Sequence, residues 1–387
     1  METVLIQRTS RILAGHLWVF SNELATSPKQ FEPGELVELR DRNDTFLGIG
    51  YINPHSLISV RILTRQREAI DPSFFRKRIL DALNYRRRFV KDANSFRVIF
   101  SEGDFLPGLI VDKYNDCLSL QFLTAGIEKW ADTLIALLEE ILSPSVMVLR
   151  NDSSARALEG LNREKKVIKG SLEQLPVIRE DSLSFEMDPL SGQKTGLFLD
   201  QRENRLAFSR LIEKGVGLDL FCYGGAWSMH LAGKGAQVVG VDESDSALAL
   251  ARRNAALNGL SERCTFEKAD VFELLRNEKT AGNLYDFIVL DPPAFAKSRT
   301  KVKEALRGYR EINGNAMGLL KKGGFLATSS CSYHIDRESF MEMLRRAARD
   351  AGRQVRLIET RSQAKDHPVV LSMPETEYLK AVFLEVR

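Results

Sequence analysis

Gly217-Leu-Asp-Leu-Phe-Cys-Tyr-Gly-Gly225 decides how the last 200 residues fold. A short apolar run of strand character stops at two glycines, which open a helix. Val238-Val-Gly-Val-Asp242 repeats the strand, and Ser246 to Leu257 repeats the helix, with Asn258-Gly259 as its stop. Phe287-Ile-Val-Leu-Asp291 and Gly324 to Thr328 are further strands of the same kind. Strands that alternate with helices imply a parallel sheet wound on both faces. Such sheets bind ligands beyond the carboxyl ends of their strands.

Upstream the texture differs. Residues 1–72 hold short strand-like runs between turns: Glu35 to Leu39, Phe46 to Tyr51 and Leu57 to Leu63, with Phe31-Glu-Pro-Gly34 as a turn. They predict a small β-barrel. Residues 73–185 open with an amphipathic basic helix, Phe74 to Val90. Strands follow at Phe96 to Phe100, Leu109 to Val111, Cys117 to Phe122 and Val146 to Arg150, with a helix at Trp130 to Leu142. This predicts a small α+β domain. Residues 186–387 form the doubly wound domain, so the fold class is α/β with two smaller domains before it.

The chain has 387 residues, 44% hydrophobic and 28% charged, with 55 Lys+Arg against 52 Asp+Glu. That balance excludes a disordered, collagen-like or disulfide-scaffold protein. A net charge of +3 does not by itself announce nucleic acid. No long apolar run suggests a membrane span, and Met1 to Ile12 has no secretion-signal pattern. Cys117, Cys222, Cys264 and Cys331 show no paired spacing, so neither a metal site nor disulfides are expected. A reducing cytoplasm is the expected compartment.

The strand ends carry acids. Asp219 lies in the first strand, and Gly224 and Gly225 let backbone approach a ligand. Asp242 follows Gly224 by 18 positions (242−224) and is placed to accept the hydroxyls of a ribose. Asp270 falls where a third strand should end, suitable for an adenine amino group. A purely structural turn with capping carboxylates would look similar. Nicotinamide binding competes, but it calls for G-x-G-x-x-G, and the turn here lacks that spacing. A nucleoside bearing a sulfonium, with no pyrophosphate, fits better.

The reaction centre reads from two more strand ends. Asp291-Pro-Pro-Ala-Phe295 is a stiff turn that holds Asp291 at the rim. Ser329-Ser-Cys-Ser332 places Cys331 at the same rim, a candidate nucleophile where a lone cysteine is otherwise a small packing residue. A thiolate adding to C6 of cytosine makes C5 an enamine carbon able to take a methyl group. Asp291 would steady N3 and the amino group. Methylation of a nitrogen needs no such cysteine. His334 is a weaker candidate for an activating base, and Phe295 either stacks on an extruded base or anchors its loop.

Together, Asp219-Leu-Phe-Cys-Tyr-Gly-Gly225, Val-Val-Gly-Val-Asp242, Ile-Val-Leu-Asp-Pro-Pro293 and Thr-Ser-Ser-Cys-Ser332 resemble the ordered motifs of class I methyltransferases. Over nearly the whole chain the sequence resembles the bacterial large-subunit ribosomal RNA cytosine-C5 methyltransferases. Arg8 to Glu23 is similar to that family's N-terminal PUA domain, and Glu102 to Asp112 to its central domain. Gly192 to Asn204 resembles the segment it places against the cofactor. Arg307 to Asn313 and Asp366-His-Pro368 also fit.

The resemblance implies S-adenosylmethionine as cofactor and a flipped cytosine as substrate, with Cys331 and Asp291 as catalytic residues. The expected cofactor contacts are Gln193, Thr195, Gly196, Phe198, Asp200, Arg202, Asp219, Phe221, Tyr223, Gly224, Gly225, Asp242, Ser244, Asn258, Asp270, Val271, Asp291 and Pro292. Many RNA cytosine-C5 enzymes carry a second cysteine after the Pro-Pro turn to assist release. Here that position is Ala294, which keeps guanine methylation on the same scaffold open, at N7 or N2. A non-catalytic RNA-binding assembly factor is the alternative from another class.

Lys297, Arg299, Arg307 and Arg310, beside the reaction centre, are the expected RNA contacts, since phosphate contact needs accessible cations. The helix Arg76 to Lys91 carries a second basic cluster that is either solvated or RNA-facing. The expected partner is large-subunit ribosomal RNA or a precursor particle, with no membrane. Oligomeric state stays open, a homodimer included.

Overall fold

A computed structural model describes all residues except Asp92, Ser191, Gln193, Lys194, Thr195 and Lys297. The chain divides into two compact units. One comprises residues 1–178, 188–197 and 365–376; the other comprises 179–187, 198–364 and 377–387.

The first unit holds two five-stranded sheets. The first uses Glu2–Leu5, Trp18–Phe20, Glu35–Arg40, Phe46–Ile52 and Ile58–Thr64. Alternation turns Val37, Leu39, Val60 and Ile62 into a core that leaves each at 0% exposure. The second uses Ser95–Phe100, Leu109–Tyr114, Cys117–Phe122, Val146–Asn151 and Glu164–Lys169, the last of which the sequence did not announce. The helix Pro72–Phe89 starts on Asp71, whose carboxylate accepts the Phe74 N–H at 3.0 Å, a cap worth about 1 kcal/mol. Its cations are partly structural. Arg86 is buried and gives its guanidinium to Asp104 and to the carbonyls of Arg97 and Asp366, and Arg76 pairs with Glu140.

The second unit is built on seven strands: β1 (Val216–Leu220), β2 (Gln237–Asp242), β3 (Cys264–Lys268), β4 (Tyr285–Leu290), β5 (Leu320–Ser330), β6 (Val355–Arg361) and β7 (Lys380–Val386). Their order is β3-β2-β1-β4-β5-β7-β6; β1 to β5 run parallel, and β7 is antiparallel to both neighbours. Parallel strands covered on both faces read as continuous apolar runs. Phe287 to Leu290 in β4 follow that rule, none above 1% exposed. Helices Val302–Leu319 and Arg337–Asp350 bring Ile312, Met317, Phe340 and Leu344 onto the sheet. The chain order reverses beside β1, so β1, β2 and β4 end around one crevice. Among the described residues no helix is long and apolar enough to cross a membrane.

Candidate active site at the strand ends

The turn leaving β1 is held in a costly shape. Phe221 (φ 66°), Tyr223 (φ 48°) and Gly225 (φ 78°) all take left-handed backbone, and for the two side-chain-bearing residues this costs roughly 1–3 kcal/mol each. The surroundings impose it. Asp242, at the end of β2, accepts the Tyr223 N–H at 3.0 Å on one oxygen and the Ser244 N–H at 2.9 Å on the other. Asn254 donates to the Gly224 carbonyl at 2.9 Å and accepts the Glu186 N–H at 2.8 Å. A carboxylate offers about four acceptor positions, so Asp242, partly exposed, retains capacity for two hydroxyl donors.

Asp219 is fully buried. One oxygen takes the Ser228 N–H at 2.9 Å and its hydroxyl at 2.6 Å; the other has no partner among the described residues. Burial pushes this carboxyl up to about 7, and the charges of Asp291 and Asp242 push the same way. Asp219 thus organises the first turn of the helix Ala226–Ala232.

The remaining expected cofactor contacts divide. Phe198 meets Tyr223 edge-on, with ring centres 5.4 Å apart. Ser244 caps the helix Asp245–Leu257, and exposed Asp270 caps Val271–Ala281, accepting the Glu273 N–H at 2.8 Å. Val271 is buried in the core, and Pro292 is buried after β4. Asp200 is buried, with one oxygen bonded by the Tyr378 hydroxyl at 2.6 Å; Arg202 is buried at the start of the helix Arg202–Ser209. Gly196 (φ 136°) belongs to the first unit. Gln193 and Thr195 lie outside the described residues.

Asn258 is placed differently from the expectation. It caps the far end of a 13-residue helix, about 20 Å of helix from Ser244. Its amide is spent on structure: it accepts the Ser184 N–H and donates to the carbonyls of Ser184 and Asn254.

Asp291, the first residue past β4, is gripped by three donors. Gln201 Nε2 (2.8 Å) and the Ser329 hydroxyl share one oxygen, and Trp227 Nε1 takes the other at 3.1 Å. Gln201 is itself fixed by Asn204, and Asn204 by Arg361. Of about four acceptor positions one remains, on the oxygen that Trp227 shares. Gln201, Trp227 and Asn204 escaped the sequence reading, although Gln201 and Asn204 fall inside the quoted stretch that ends at Asn204.

Cys331 follows β5 directly and is partly exposed, whereas Cys117, Cys222 and Cys264 are buried. Its neighbours are pinned: Tyr309, fully buried, exchanges hydrogen bonds of 3.1 Å with the hydroxyls of Ser330 and Ser332. Phe295 packs on Tyr309 with ring centres 4.5 Å apart, and on Phe221 and Phe272, so it anchors its loop.

Arg299 and Arg307 are exposed, and no carboxylate among the described residues stands within ion-pair distance of either. Arg310 departs from the expectation of phosphate contact, because Asp350 takes its guanidinium in a two-pronged bond. Lys297 lies outside the described residues.

Comparison with known proteins identifies the domains. Residues 3–65 match a PUA-like domain and residues 213–370 a methyltransferase domain. A candidate SAM-dependent methyltransferase from Streptococcus mutans superposes with a TM-score of 0.85 at 19% identity, covering 100% of both chains. Two curated relatives bear the name ribosomal RNA large subunit methyltransferase I. The one from Shewanella denitrificans is 38% identical and covers 96% of this chain and 95% of its own. The one from Tolumonas auensis is 37% identical and covers 98% of each. Identity at that level over almost the entire length makes this chain a member of the ribosomal RNA large subunit methyltransferase I family.

Proposed function

We propose that the protein methylates C5 of a cytosine in large-subunit ribosomal RNA through a covalent adduct of Cys331, using S-adenosylmethionine, in the cytoplasm. The observation that carries this reading is one pairing of strand ends. Cys331, the one cysteine among the described residues that is partly exposed, follows β5, beside the β4 end where Asp291 is already oriented. A PUA-like domain in the same chain suits an RNA substrate. The three-part division at residues 72 and 185 belongs to the same proposal.

The residues present fit the cofactor. The two open acceptor positions on Asp242 match a pair of ribose hydroxyls, and exposed Asp270 can receive an adenine amine. Bound S-adenosylmethionine supplies an electrophilic methyl group on sulfur. The protein's own residues then handle the base, which must leave its stack to reach them. Asp291 accepts the cytosine amine at its remaining position. The Cys331 thiolate bonds to C6, and C5 gains the electron density to take the methyl group. Loss of the C5 proton then expels the thiolate. With alanine at position 294, that proton goes to another base or to water.

Purified protein, methyl-labelled S-adenosylmethionine and unmodified large-subunit RNA test this directly. The expected product after digestion is labelled 5-methylcytidine. Labelled methylguanosine would overturn the cytosine assignment. Label appearing only with a precursor particle would identify the particle as substrate. Separately, Asp242→Ala is expected to weaken S-adenosylhomocysteine binding about 10- to 100-fold, the loss of hydrogen bonds to a charged group. Calorimetry checks it, and unchanged affinity would remove Asp242 from the site.

A further inference from the structure

We infer that Lys380 sets the protonation state of Cys331, holding it as a thiolate near neutral pH. The inference rests on the reading of Cys331 as nucleophile and adds the group that activates it. Lys380 opens β7, and its backbone lies opposite Ser330 in β5. Its ammonium reaches past that partner to donate to the Ser332 carbonyl at 2.8 Å, and to the Tyr378 carbonyl at 2.8 Å. The side chain therefore spans the Ser330-Cys331-Ser332 segment, with its backbone at one end and its nitrogen at the other.

The placement is costly for lysine. The residue is 5% exposed, and a buried ammonium needs compensation that two neutral carbonyls supply only in part. Burial pushes its pKa down to about 8. Cys331, Glu377 and Asp336 push the other way, while Arg337 pushes it further down. Glu377 is occupied by Arg337, and Asp336 by the Ser339 N–H at the start of the helix Arg337–Asp350. Cys331 lies on the segment that this cation spans, and the buried Tyr309 hydroxyl, bonded to Ser330 and Ser332, faces the same segment.

An ammonium has three donors and two go to carbonyls. The third position carries either a proton or a lone pair, and a lysine near neutrality can hold either. In the activating step the Sγ–H bond of Cys331 breaks and an Nζ–H bond forms, giving a thiolate–ammonium pair with no net change in protons. The step reverses when the thiolate is released. The pair titrates jointly, so the thiol of the pair ionises at lower pH than an isolated one.

The test reads the thiol without requiring methyl transfer. Full-length protein is alkylated with iodoacetamide over a range of pH, and the Cys331 peptide is quantified by mass spectrometry. Cys117 and Cys264 do not compete, because burial raises each to about 12, and buried Cys222 is raised too. We expect half-maximal reactivity of Cys331 below the ordinary thiol value of about 8.5. Lys380→Met should raise that midpoint by about one unit and slow alkylation near neutrality about tenfold. Lys380→Arg, which keeps a cation, should restore the low midpoint.

A wild-type midpoint at or above the ordinary value would overturn the inference. So would a folded Lys380→Met protein with an unchanged profile. If that variant fails to fold, the wild-type midpoint decides alone. Failure of the nucleophile reading is distinguishable, since it would appear as full methylation by a Cys331→Ala protein whatever the alkylation profile.

Discussion

Cys331→Ala is expected to lower methyl transfer to cytosine by a factor on the order of 10⁴ or more, while S-adenosylhomocysteine binding stays close to wild type. Losses of that size follow removal of a covalent nucleophile, because every later step depends on the bond it forms. Without addition at C6, the C5 carbon stays part of a delocalised ring and has no pair to offer. The variant should still fold, because Cys331 is partly exposed and the segment around it is fixed by Tyr309 and Lys380. Initial rates of methyl-label incorporation measure the effect. A variant that still forms 5-methylcytidine at the wild-type rate would sink the covalent mechanism. It would also return Cys331 to the role of a small packing residue.

Asp291 responds differently, and the contrast is informative. Its carboxylate is part of a built network, so Asp291→Ala would strand Gln201, Ser329 and Trp227 as well as removing the contact to the base. A loss of activity there mixes chemistry with structure. The cysteine variant is the cleaner experiment.

Most of the architecture could be read from local pattern. β1, β2, β4 and β5 announce themselves as apolar runs, and the Gly224-Gly225 turn and Asp242 follow from where those runs stop. β3, β6 and β7 did not stand out. Val355–Arg361 has exposed residues at Arg356 to Thr360, so its apolar signal is diluted, and Cys264–Lys268 shows the same alternation with polar residues. The site divides along a similar line. The place of Asp242 is legible because one strand end fixes it. Gln201 is not, since its meaning lies in an acceptor 90 positions away. Arg310 misleads for the same reason in reverse: within a basic loop it reads as a phosphate contact, yet Asp350, 40 positions on, holds it. Lys380 reads as an ordinary charged residue at a strand end, and its burial is visible only in the fold. Periodicity reports which face is apolar; it carries nothing about which polar groups meet across the fold.

The largest stability effect is expected at Glu180. Its carboxylate is fully buried between Arg205, which donates twice at 2.8 and 2.6 Å, and His230 at 2.8 Å. Removing one member of a buried ion pair leaves an uncompensated charge, so Glu180→Ala should destabilise folding by about 3–5 kcal/mol. Urea unfolding of the full chain measures it, and a change below 1 kcal/mol would show that the pair is dispensable. Burial alone would raise the Glu180 carboxyl, but Arg205 and His230 hold it well below its ordinary value of 4.5. A folded pKa below the unfolded one means this contribution is complete above about 4.5 and is lost as pH falls below it. The wild type should therefore lose stability on acidification below that point, and Glu180→Gln should flatten this limb. The same residues bear on the site. Arg205 also donates to the Phe198 carbonyl at 3.0 Å and lies one helical turn after Gln201, while His230 sits on the short helix Ala226–Ala232 that Gly225 caps. Loosening Glu180 should thus release the Phe198 segment and the β1 turn together. Glu180→Ala is expected to weaken S-adenosylhomocysteine binding even under conditions where the variant remains folded.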